Sequence, residues 1–155
     1  MKRIACTLLV LFLFVQATAY GGVGSKSTMY VGGTVTSIKA GAEGKSSTAD
    51  ENAFVFEYKK EKLNIPYAKI NGLEYGQKAG RRVGMAILVS PIALFSKKRK
   101  HFLTVNFMDQ ADKQQAAVFE LGKDVVRVTL ASLEARSGQK IEYQDEEARK
   151  SSKGN

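Results

Sequence analysis

Cysteine is nearly absent from this chain: among 155 residues there is one, Cys6, within the first apolar run. No disulfide framework can be built from it, so any fold must rest on its apolar core. Histidine is as scarce. His101 is the single one, and it follows Lys97, Lys98, Arg99 and Lys100, whose charge opposes its protonation. With no cysteine beside it, a His/Cys metal site is excluded. The two apolar runs, one ending at Val15 and one covering residues 83–95, are shorter than the ~20 residues of a spanning helix. Pro91 interrupts the second near its middle.

Catalytic signatures are missing too. "GAEGKSS" at 41–47 looks like a phosphate loop, but the position five residues before Gly44 is Lys39 rather than glycine. "GGVGSKST" fails because Ser25 separates Gly24 from Lys26. No GxSxG elbow supports a serine nucleophile. The adjacent Asp145, Glu146 and Glu147 stand in a Lys-rich stretch and read as solvated charge. The chain is expected to be non-enzymatic, with no cofactor and no metal.

What is present begins with "MKRIACTLLVLFLFVQATA". Its basic start, apolar run and Ala17-x-Ala19 follow the order of a secretory signal peptide cut before Tyr20, with a retained anchor as the alternative. Removing those 19 residues leaves 136, and the net charge drops from +9 to +7 as Lys2 and Arg3 leave. That length suits one domain. The basic excess favours anionic surfaces, and export favours lipid over nucleic acid. The expected location is periplasmic or secreted, against the envelope.

Residues 20–29 read as a flexible lead-in. "MYVGGTVTSI" has strand character, with Gly32 and Gly33 marking a bulge or bend. "KAGAEGKSSTADEN" reads as a long polar loop. Phe54, Phe56 and Tyr58 alternate with Val55 and Glu57, "KKEK" reverses the chain, and Leu63, Ile65 and Tyr67 resume the period of two, which predicts a hairpin. Asn71-Gly72 is either a tight turn or a bulge within a strand. "HFLTVNFM" and the Ala117, Phe119, Leu121 stretch predict two further strands. Val126, Leu130 and Leu133 then share one helix face, with Asp124 as cap and Gly138 as stop. Residues 142–155 keep no apolar face and read as a charged, disordered tail.

The order "KLNIPYAKINGLEYGQK", "GRRVGMAILVSPIALFSKKRKHFLTVNF" and "AAVFELGKDVVRVTLASLEARSGQKI" resembles bacterial pleckstrin-homology-like (GRAM-like) domains over residues 30–141. The resemblance implies an α+β, mainly β fold: a strongly bent antiparallel sheet or small barrel of about seven strands, capped by a C-terminal helix. It also implies a lipid- or protein-binding module rather than an enzyme.

The central question is the stretch from Gly80 to Lys100. Its apolar run is either core covering an open sheet edge or a contact with membrane or partner. In the second reading Ile87 and Leu88 touch the surface while Arg81, Arg82, Lys97, Lys98, Arg99 and Lys100 meet anionic headgroups or an envelope protein. The rival functional reading is a small-molecule or lipid carrier that uses the barrel interior.

Overall fold

A computed structural model describes residues 27–77, 88–89 and 100–153. Among them are nine strands: β1 Ser27–Gly33, β2 Ala42–Ser47, β3 Ala53–Tyr58, β4 Glu61–Pro66, β5 Ile70–Gly76, β6 Leu88–Val89, β7 His101–Met108, β8 Gln114–Leu121 and β9 Ile141–Tyr143. A 3₁₀ turn, Tyr67–Lys69, joins β4 to β5, and two helices close the chain, α1 Val126–Ser137 and α2 Glu146–Ser152. The sheet runs β4-β3-β2-β1-β8-β7-β5-β9, with β6 beside β1. No pairing among the described residues joins β4 to β9, so the sheet is open. It is also mixed, because β9 lies parallel to β5 while the other pairs are antiparallel. The α+β, mainly β class holds; a wholly antiparallel sheet of about seven strands does not.

The expected hairpin is β3–β4, paired from Ala53↔Pro66 to Tyr58↔Glu61. Its turn is tighter than "KKEK" suggests: Glu61 and Lys62 are already in the ladder, and Lys59 takes the positive φ of 53° that reverses the chain. Asn71-Gly72 makes a bulge, since the register against β7 slips between Ile70 and Gly72.

A second slip, between Tyr30 and Gly32, inserts Val31 into β1. The strand then stops at Gly33 rather than continuing through Ile38. At Gly33 a side chain would overlap the Ala116 carbonyl, so only glycine permits this approach of β1 to β8. The predicted lead-in is shorter at its far end, because β1 already begins at Ser27.

The polar loop expected over 39–52 is corrected in its middle, which forms β2. Ala42 and Ser46 point inward and are buried, while Glu43 and Lys45 point out. The period of two is present, but small residues carry it, so a hydrophobicity pattern cannot show it. Buried Ser46 is satisfied by Thr28, with Oγ to Oγ1 at 2.7 Å.

The main core lies where Tyr30, Phe119, Leu103 and Tyr75 follow one another across β1, β8, β7 and β5. Phe119 is its centre, with ring centroids 5.3 Å from Phe54, 5.4 Å from Phe56 and 5.8 Å from Tyr30. The neighbouring row, Val118, Thr104 and Glu74, points to the other face and is buried as well, as is Phe102. Strands β7 and β8 are therefore covered on both faces, not on one as simple alternation predicts.

Helix α1 presents Val126, Thr129, Leu130 and Leu133 inward, matching the predicted face. Its N-cap position is Val125, one residue after the expected Asp124. Gly138, at φ 71°, stops it by donating its N–H to the Glu134 carbonyl at 3.0 Å.

The disordered tail expected over 142–155 is also corrected. Ile141 and Tyr143 join the sheet, and α2 follows, capped by Asp145, whose Oδ1 accepts from the Ala148 N–H at 2.7 Å. Glu146 and Glu147 occupy its first turn, Arg149 and Lys150 its last, in the order the helix dipole favours. Only Ala148 and Ser152 are buried, too small a face to register as hydrophobic periodicity.

Candidate functional site

The open sheet leaves a cleft of about 420 Å³ where β4 has no second neighbour. One wall is Leu63, Asn64 and Pro66 of β4 with Lys69 of the 3₁₀ turn. The other combines residues 34–37, which follow β1, with residues 107–110 at the end of β7 and the turn after it. Val35, Leu63, Pro66, Phe107 and Met108 supply the apolar lining. The volume falls within the ~300–1,000 Å³ of small-ligand sites.

Both walls are fixed by hydrogen bonds. The Tyr30 hydroxyl reaches out of the core to donate to the Val35 carbonyl at 3.0 Å, and burial pushes its pKa up to about 12. Thr34 Oγ1 donates to Gln115 Oε1 at 2.5 Å and accepts from the Ala116 N–H at 2.9 Å. Gln115 Nε2 in turn donates to Asp109 Oδ2 at 2.9 Å. Asp109 also accepts the N–H groups of Lys113 and Ala111, at 2.9 and 2.8 Å, and the Lys113 amide leads in holding its carboxyl below the usual range. Lys69 is bridged to Asp112 at 2.7 Å. The two charged lining residues are thus already engaged, and the cleft suits a neutral, partly apolar occupant.

The lining brings no histidine to its hydroxyls, and its one carboxylate, Asp109, is taken up by Gln115 and two backbone N–H groups. His101 and Phe107 stand six residues apart on β7, about 20 Å along a strand, so the histidine is remote from Thr34, Thr36 and Ser37. The stretch resembling a phosphate loop lies within β2 instead of opening a helix, which removes the amide cradle. No group of three or more metal-ligating side chains is gathered among the described residues.

No family model matches the chain, and no curated protein matches it.

Of the candidate contact residues in the basic segment, Arg81, Arg82, Ile87, Lys97, Lys98 and Arg99 lie outside the described residues. Leu88 is placed by its backbone: β6 pairs Leu88 with Gly33 and Val89 with Gly32. Part of the apolar run is therefore a strand on an otherwise open stretch of β1. Lys100 is not a free surface cation, because Nζ meets Glu120 Oε2 at 2.7 Å with both side chains about one-fifth exposed. Among the described residues no helix is long and apolar enough to cross a membrane.

Sequence reasoning missed the cleft. Its walls come from four separated segments. No local pattern signals that.

Proposed function

We propose that this chain is a non-enzymatic binding module of pleckstrin-homology-like fold, exported and seated on an anionic membrane surface of the cell envelope. Strand order supports the fold: β1 to β4 form one meander, β5, β7 and β8 a second, and β1 joins them by pairing with β8. Helix α1 follows the second meander and packs on the core, as the resemblance implies.

The observation that carries a surface role is the pairing of a filled interior with the basic run Lys97, Lys98 and Arg99 just before β7. Phe54, Phe56, Ile65, Leu103 and Phe119 have no exposed area, so a carrier using the interior has no chamber among the described residues. Contact with an anionic partner is left to the outer surface. Lys97, Lys98 and Arg99 support an anionic surface, since each such residue contributes on the order of 1 kcal/mol there.

Cosedimentation of the chain from Tyr20 with phosphatidylglycerol vesicles tests this. Binding should appear at low salt and fade as ionic strength rises past ~0.1 M, where the screening length is about 10 Å. Replacing Lys97, Lys98 and Arg99 together with Gln should abolish binding and leave the melting temperature unchanged. Lys100 is spared because its loss would strand Glu120. Wild type that ignores these vesicles at low salt removes the membrane reading and favours a protein partner.

A further inference from the structure

Where β7 begins, three side chains from three elements form a line of hydrogen bonds. His101 Nδ1 lies 2.5 Å from the Tyr75 hydroxyl of β5. That oxygen lies 3.2 Å from Ser151 Oγ of α2, and Ser151 donates to the Ala148 carbonyl at 2.8 Å. Tyr75 is fully buried, and burial raises its pKa, so it remains a phenol.

Counting protons along this line gives an asymmetry. With the proton of the neutral imidazole on Nε2, Nδ1 only accepts, and there are three contacts but two hydroxyl protons. Tyr75 gives its proton to Nδ1, Ser151 gives its own to Ala148, and the contact between Tyr75 and Ser151 holds none. The distances are in keeping with this: the 2.8 Å contact has the length of a filled bond, and the 3.2 Å one is long for O–H···O. The empty contact is the one that ties α2 to the sheet. A proton added at Nδ1 reverses the first bond, turns the Tyr75 hydroxyl toward Ser151, and fills all three.

We propose that neutral His101 carries its proton on Nε2 and that this line is a proton-engaged latch: protonation of Nδ1 tightens the docking of the C-terminal helix α2 onto β5.

The groups around His101 set the background. The Tyr75 ring stacks on the imidazole at 6.1 Å and 18°, and Tyr143 of β9 meets Tyr75 edge-on. Lys123, between β8 and α1, opposes the added charge, while Glu120 of β8, already bridged to Lys100, favours it. On α2 the charged Glu147 and Lys150 are exposed, and Ser151 is the residue that reaches Tyr75. Burial first, then Lys123, hold the His101 pKa below its ordinary value. Global stability is therefore fully present above that value and declines as pH falls toward the lowered one. The latch acts in the opposite direction, and only on α2.

Amide hydrogen exchange on the full chain separates the two effects, with α1 as internal reference. The single histidine's ring signals report its titration. Below its midpoint, protection of residues 148–152 relative to residues 129–133 should rise several-fold after correction for intrinsic rates. In Ser151→Ala and in His101→Gln the ratio should stay flat across the same range. A ratio in the parent that is flat or falls on acidification overturns the latch, as does a Ser151→Ala variant that keeps the parent's rise.

Discussion

Phe119→Ala should destabilise the fold by about 3–5 kcal/mol, the cost of truncating a fully buried aromatic, read as a lower urea midpoint. Phe119 has no exposed area and touches the rings of Phe54, Phe56 and Tyr30. Those rings come from β1 and β3, on the other side of the β1–β8 junction. Removing Phe119 thus opens the seam between the two meanders rather than one strand alone. The rings stand on strands held by ladders and cannot collapse fully into the space, which places the loss in the upper part of that range. A variant that melts with the parent would mean that the two meanders do not share this core.

Leu133→Ala should cost about 2–5 kcal/mol by the same cavity argument. Leu133 is the most deeply buried residue of α1, fully enclosed beside Leu130 and Val126. The end of that helix is also tied down beyond it. The Arg136 guanidinium lies 5.5 Å from the Tyr67 ring centroid and donates to the Asp50 carbonyl. Because these ties remain in the variant, α1 should stay helical but pack loosely, lowering the thermal midpoint without loss of helical circular dichroism. Unchanged melting would show that α1 is not part of the core.

Strands with large side chains on alternate positions were legible: Phe54 and Phe56, Leu103 and Val105, Phe119 and Leu121. So was α1, whose inward residues follow the helical period. The missed elements share a physical cause, burial of small residues. Ala42 and Ser46 place β2, and Ala148 and Ser152 dock α2, without supplying enough apolar surface to stand out from polar sequence. β9 escaped because three residues pairing parallel with a distant strand leave no local trace. The cleft is assembled from segments far apart in sequence where an open sheet ends, a tertiary outcome. Lys100 was read as a surface cation for a similar reason: its partner Glu120 is adjacent only through the β7–β8 register, where Phe102 faces Glu120.

The most direct measurement of the proposed binding role is an amide-resolved NMR titration of the chain from Tyr20 with phosphatidylglycerol bicelles. The expected result is a salt-sensitive set of shifts centred on Lys97, Lys98 and Arg99, with the core amides of Phe54, Phe56 and Phe119 unmoved. Shifts at those core residues, or no response anywhere at low salt, would contradict a filled module that meets an anionic surface through its basic segment.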